Sequence, residues 1–311
     1  MKKINKLGFG TAPLSGKTLF GGKYIGMGAQ IKLQSIKSLK YAYDNGINFF
    51  DTADLYGNGR VEKIIGETFN SKDNIFICSK YGNRFKSNKN LFDISPDYFT
   101  KSLNSSLKRL KRENIYCYLL HSPPSNIQIS DKLIHLIEKA ISNGKITLFG
   151  ISCSSINDAK KFIKQYPFIK SIEFNYNILD TRANNFIKNI KKSKNIFTIS
   201  RAPFANGMIF DKNLNKEFNK YDFRKNFDSD LKIWIKKRLK KIKNKIKYND
   251  ISEFALSFCL SNKNFDVVIP GMRSIDQIKN NIEISKKKYL NSLTKDSYIN
   301  NILKDTYKNW K

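Results

Sequence analysis

The sequence predicts a single α/β domain, a (β/α)8 TIM barrel spanning residues 1–311, with an extended loop after the seventh strand and extra C-terminal helices. Three observations carry this prediction. Short β-like runs alternate with amphipathic helical stretches along the whole chain. Eight such runs fit a chain of 311 residues, a length suited to one barrel. No low-complexity linker or break in composition divides them. The rival, a doubly wound open sheet, would want a glycine fingerprint after its first strand, and none stands there.

The strands are expected at Leu7–Thr11, Ile47–Asp51, Ile75–Lys80, Ile115–His121, Thr147–Ser152, Ser171–Asn175, Ile196–Arg201 and Asp266–Pro270. Helical patterns lie between them, near 33–45, 60–70, 96–111, 130–143, 156–165, 182–192 and 274–285. Two further helices, 229–247 and 251–262, precede the last strand, and 294–309 reads as one more. The punctuation agrees. Ser95 is a cap residue placed before Pro96, a residue suited to the first helical position. Asn45-Gly46 and Asn143-Gly144 end helices where a left-handed residue is wanted.

Composition bounds the function. No window is long and apolar enough to span a bilayer, and MKKINKLGFGT lacks the apolar run and cleavage site of a signal peptide. A cytoplasmic protein without a membrane partner is expected. Cys78, Cys117, Cys153 and Cys259 are scattered, with no CxxC pair, and read as reduced thiols. A formal net charge of +31 invites a nucleic-acid reading. Against it, only 9 of the 57 basic residues are Arg, and Lys, Asn, Ile, Phe and Tyr all abound. AT-rich codons alone produce that bias. The expectation is no nucleic-acid partner, with attraction toward anionic small molecules instead.

Several apparent motifs fail. Ser15-Gly16-Lys17-Thr18 resembles the tail of a phosphate-binding P-loop, but Gly10 to Gly16 leaves five residues where four are required. Gly57-Asn58-Gly59 has Glu62 where a dinucleotide fingerprint needs a third glycine. The chain has no GxSxG elbow, and two His cannot build a His-rich metal site.

A different constellation survives. Barrel chemistry occurs at the C-terminal ends of the strands. There stand Asp51 with Tyr56 on the loop beyond it, Lys80, His121, Ser152, Glu173 with Asn175, and Arg201, while strand eight leads into Gly271-Met272-Arg273. Any one of these is ordinarily a loop residue, and Tyr56 or His121 alone is ordinarily a packing residue. Four different titratable groups on three successive strand ends are far less expected by chance. Together they could act on one carbonyl. The ammonium of Lys80 is expected to lower the pKa of Tyr56, and Asp51 to hold Lys80. Neutral His121 could orient the carbonyl oxygen. No electrons are supplied, so a reduction needs a hydride-donating cofactor.

These residues resemble the aldo-keto reductase family. DTADLYGNGRVEKIIG is similar to its strand-two signature. SKYGNRF, LLHSPP, NGKITLFGIS, FNYN, RAPFANGMI and VVIPGMRSIDQIKNN follow in family order over nearly the whole chain. The resemblance implies a barrel that reduces aldehydes, ketones or sugars, or oxidises the corresponding alcohols, with NADP(H) or less often NAD(H). It implies Tyr56 as proton donor, Lys80 and Asp51 tuning it, and His121 orienting the carbonyl. It further implies that Ser152 and Glu173 lie at the nicotinamide carboxamide. Arg201, Phe204 and Asn206 would lie along the nicotinamide and pyrophosphate. Gly271, Met272, Arg273, Gln277 and Asn281 would hold the adenosine end, with Arg273 suited to a 2′-phosphate.

The chain departs from the family pattern in places. Cys153 stands where Asn is usual, Glu173 where Gln is usual, Val61 where Ser is frequent, and Gln277 where some relatives carry a second Arg. Arg201 would stack where many relatives use an aromatic ring. A cofactor-sensing protein without catalysis, or a lyase forming a Schiff base on Lys80, would use the same scaffold. The loops 12–30, 81–94, 122–130 and 203–228 would shape the substrate pocket, with Phe20, Tyr24, Phe85, Phe92 and Phe210 as apolar walls.

Overall fold

A computed structural model describes residues 3–86, 89–153, 155–246, 250–287, 302–304 and 307. Eight parallel strands follow in sequence order: β1 (Phe9–Gly10), β2 (Phe49–Asp51), β3 (Phe76–Tyr81), β4 (Ile115–His121), β5 (Ile146–Ser152), β6 (Ser171–Asn175), β7 (Phe197–Arg201) and β8 (Val267–Ile269). Closure comes from single bridges rather than a regular ladder. Leu7 pairs with Val268 and Gly10 with Gly271. The Gly8 amide donates to Val268 O at 2.8 Å, and the Val268 amide to Lys6 O at 2.8 Å. The expected strand Leu7–Thr11 is therefore shorter as a ladder, yet its flanks complete the barrel.

The helices are α1 (Lys32–Asp44), α2 (Arg60–Thr68), α3 (Pro96–Leu110), α4 (Asp131–Ser142), α5 (Ile156–Gln165), α6 (Ala183–Ser193), a short α7 (Asp211–Leu214), α8 (Ser229–Lys243), α9 (Ile251–Ser261) and α10 (Ile275–Lys286). The expected cap at Ser95 forms: its Oγ accepts from the Tyr98 amide at 3.3 Å, with Pro96 first in the helix. Gly46 and Gly144 take φ of 93° and 72°, and strands begin soon after them at Phe49 and Ile146. The helix expected over 294–309 falls mostly outside the described residues. Its 302–304 turn is helical, and Leu303 O accepts from Thr181 Oγ1 at 2.7 Å.

Two hairpins stand where the sequence reads as loop. Leu19–Phe20 pairs with Lys23–Tyr24, and Asn83–Lys86 with Lys89–Phe92, both antiparallel. Gly21 and Gly22 link the first pair with φ of 56° and 74°, a two-residue turn that demands positive φ twice. The side chain of Phe85, expected to line the pocket, lies outside the described residues.

Period-two alternation sorts the side chains into two layers. Phe49, Cys78, Cys117, Leu119, Ile199, Val267 and Ile269 fill the barrel interior. The alternate positions, such as Phe50, Ile77, Tyr118, Leu120 and Ile172, pack against the helices. Stepping two residues upward from the interior set reaches Asp51 on β2, Lys80 on β3, His121 on β4 and Arg201 on β7. The register adds β5 and β6, since Ser152 aligns with both His121 and Glu173. The apolar interior thus forms a floor, and every polar strand end named above faces the same mouth.

Candidate active site

Lys80 is the centre of the cluster. Its side chain is fully buried, and Nζ donates to Asp51 Oδ1 and to Thr52 O, the latter at 3.1 Å. A second carboxylate oxygen, Glu173 Oε2, lies 3.3 Å from the same nitrogen. Glu173 Oε1 accepts from Ser152 Oγ at 2.8 Å and lies 3.5 Å from Arg201 Nε. Asp51, Lys80, Glu173 and Arg201 therefore form a chain of alternating charge across β2, β3, β6 and β7. Asp51, Cys78 and Glu173 offer ligand atoms within 4.8 Å of one another. The cation between the two carboxylates is the Lys80 ammonium.

The backbone fixes these groups. Asp51 O accepts from both the Thr11 amide, at 2.9 Å, and Thr11 Oγ1, at 2.7 Å, which ties the end of β2 to β1. His121 O accepts from Asn83 Nδ2 at 2.9 Å. Tyr56 stands on the turn between β2 and α2. Its ring lies 5.5 Å from Lys80 Nζ and meets the His121 imidazole at 84°, with centroids 5.8 Å apart. The carboxylate, phenol, amine and imidazole expected to converge do so at one end of the barrel.

Their electrostatics correct one expectation. The phenol of Tyr56 is pushed above its ordinary value, not below it. Burial is the main cause. Lys80 does pull the phenol down, but Asp51 and Glu173 push it up. Lys80 has the largest effect after burial, with Arg201 adding to its pull, but together they do not overcome burial and the two carboxylates. Lys80 is held well above the lysine range: burial opposes its charge, but Asp51 and Glu173 outweigh it. Burial, with Glu173 next, raises Asp51 to about 7. Glu173 is held low, since Lys80, Arg201 and the Ser152 hydroxyl outweigh its burial. Burial and the nearby Lys80 lower His121 to about 3, so its imidazole is neutral.

The other expected residues separate into two places. Phe204 and Asn206 lie on the loop after β7, where Phe204 packs on Phe210 with centroids 5.7 Å apart and Asn206 O accepts from Arg224 Nη1 at 3.3 Å. Ala202, Ala205 and Asn206 all have positive φ, of 52°, 47° and 57°. Three such residues in five positions mark a loop held in a costly shape. Gly271, Met272, Arg273, Gln277 and Asn281 cluster at β8 and the start of α10. Arg273 is exposed, and its Nη1 donates to Met27 O at 3.3 Å. Gln277 Oε1 accepts from the Arg273 amide at 3.0 Å, so that side chain braces the turn. Met272 and Asn281 are buried.

The residues fit a nicotinamide cofactor on one structural test. Asn175 Oδ1, at the end of β6, is a buried acceptor without a hydrogen bond, a match for an N–H group of a carboxamide. Sequence reasoning missed the Glu173–Lys80 contact, and residue types alone gave no signal for it.

The comparisons agree with this geometry. A family model described as the aldo/keto reductase family matches residues 6–295. An uncharacterized oxidoreductase, YqkF of Bacillus subtilis, is 27% identical over 264 residues, which is 83% of this chain and 84% of that protein. The aldo-keto reductase yakc [NADP(+)] of Schizosaccharomyces pombe is 27% identical over 266 residues, 80% of this chain and 77% of that protein. Among solved structures, the holo form of the aldo-keto reductase AKR11C1 from Bacillus halodurans superposes with a TM-score of 0.78 at 26% identity, covering 98% of this chain and 95% of that one. The chain belongs to the aldo/keto reductase family.

Proposed function

We propose that the protein is an NADP(H)-dependent oxidoreductase that interconverts a small aldehyde or ketone, or a sugar carbonyl, with its alcohol. Tyr56 is the proton donor in the reducing direction. The observation that carries this reading is the buried Asp51–Lys80 pair lying under the Tyr56 ring, with His121 edge-on to the same ring.

Each group has a role that its surroundings support. The raised Tyr56 phenol keeps its proton at neutral pH, as an acid must before transfer. Its hydroxyl would donate to the substrate carbonyl oxygen as charge develops there. The neutral imidazole of His121 would offer an N–H to the same oxygen without repelling the reaction partner. Lys80, anchored by Asp51, holds a positive charge near the phenol as the proton leaves. A bound reduced nicotinamide supplies the hydride. Ser152, Glu173, Asn175 and Arg201 would hold its ring, the loop carrying Phe204 and Asn206 its pyrophosphate, and Arg273 a 2′-phosphate. The name of the yeast relative supports the phosphorylated cofactor.

The test is a carbonyl and polyol panel with both cofactors, followed at the absorbance band of reduced nicotinamide. Turnover that requires Tyr56 and prefers NADPH supports the reading. Failure of every substrate, with normal cofactor binding, would favour a cofactor-sensing role on the same scaffold.

A further inference from the structure

Lys80 needs one counter-charge, and the barrel gives it two. Asp51 already accepts directly from Nζ. Glu173 is nonetheless 1% exposed, with Oε2 3.3 Å from Nζ, no hydrogen bond on that oxygen, and Oε1 turned to Ser152 and Arg201. Burying a further carboxylate is costly unless something opposes it. The second opposing charge is Arg201, which is partly exposed at the end of β7 and reaches the same carboxylate. Glu173 thus joins an inner ion pair, buried beneath Tyr56, to an outer guanidinium at the mouth.

We propose that Glu173 is a specificity-determining residue that selects the redox form of the cofactor: its carboxylate neutralises Arg201, so the site holds the cationic, oxidised nicotinamide in preference to the neutral, reduced ring. This rests on the reading that a nicotinamide lies along Ser152, Glu173 and Arg201. Only the oxidised ring carries a positive charge, so a fixed charge beside it acts on one form and spares the other. With the Glu173 carboxylate absent, the site has one negative charge fewer beside the oxidised ring. With it present, the carboxylate offsets that positive charge. The chain is thereby set to retain its oxidised cofactor and to take an alcohol or polyol as the partner in the ternary complex.

The test measures dissociation constants for NADP+ and NADPH by isothermal titration calorimetry, without turnover, in the native protein, Glu173→Gln, Arg201→Met and the double variant. Gln keeps the volume and an acceptor for Ser152. Glu173→Gln is expected to raise the ratio of the NADP+ constant to the NADPH constant by about ten-fold or more, the effect of one unit charge across a short, poorly solvated distance. Arg201→Met is expected to lower that ratio, and the double variant to return it toward the native value. Should Glu173→Gln not fold, the fall in Arg201→Met carries the test by itself. A ratio unmoved in both single variants, with both forms bound by the native protein, overturns this inference alone. A native protein that binds neither form overturns the proposed function together with it.

Discussion

The ring of Tyr56 meets the imidazole of His121 edge to face, at 84° and 5.8 Å between centroids. That contact gives two donors to one small volume at the mouth of the barrel. The phenol is raised by burial and keeps its proton, while the imidazole is lowered to about 3 and stays neutral. One group is arranged to give a proton and the other to hold an oxygen without charge.

Tyr56→Phe removes the hydroxyl and keeps the ring that packs against His121. Turnover is expected to fall by roughly 10²- to 10⁴-fold, the usual contribution of one positioned proton donor. Cofactor affinity, read by quenching of protein fluorescence, is expected to stay near native. Full activity in this variant would remove Tyr56 as the acid.

Lys80→Met deletes the ammonium shared by Asp51 and Glu173. Two buried carboxylates then face each other, with Arg201 still paired to Glu173. Breaking a buried pair on one side costs about 3–5 kcal/mol. The loss in melting temperature is expected to be larger at pH 8 than at pH 5, because protonation relieves the repulsion. Adding Asp51→Asn to this variant is expected to recover part of the stability at pH 8. An equal loss at both pH values would mean that the two carboxylates do not share one counter-charge.

The strand ends were legible because an apolar run that stops at a polar residue marks both a strand and its exit. Asp51, Lys80 and His121 were found this way, and alternation then fixes which face they share. The contact of Glu173 with Lys80 was not legible. It depends on how far each strand slides past its neighbour around the barrel, a quantity no single strand encodes. The direction for Tyr56 was missed for another reason: burial raises the phenol more than Lys80 lowers it, and the depth of burial of a loop residue is not written in a strand-end pattern. The Leu19–Tyr24 hairpin is a different case. Gly21-Gly22 between Leu19-Phe20 and Lys23-Tyr24 is a turn signal, but the strands it joins are too short to stand out as β-runs.

Arg273→Ala tests the distal end of the cofactor groove. Arg273 is exposed and makes a single described side-chain hydrogen bond, to Met27 O, so its removal costs the fold little. Charge-assisted bonds to a phosphate are worth about 1.5–3 kcal/mol each, so NADPH binding is expected to weaken by roughly ten- to a hundred-fold. NADH, which lacks that phosphate, is expected to bind nearly as before. Equal weakening of both cofactors in a titration would show that Arg273 does not read the 2′-phosphate.

Asp54 gives the fold a pH dependence of unusual sign. The side chain is buried on the turn after β2, where Oδ2 accepts from Ser102 Oγ at 3.2 Å and Oδ1 has no hydrogen bond. Burial, with Glu62 next, raises it from 3.8 to about 8, against the weaker pull of Ser102 and Arg109. The folded protein therefore binds this proton more tightly than the unfolded chain does. Its contribution is fully present below pH 4 and is lost as pH rises toward 8, at about 1.4 kcal/mol per pH unit at most. Asp51, raised to about 7, acts with the same sign. Thermal melts are expected to show the native protein less stable at pH 8 than at pH 5. Asp54→Asn, which stays neutral throughout, is expected to flatten that slope without abolishing it, because Asp51 remains. A variant with the full native slope would show that Asp54 does not hold its proton in the folded state.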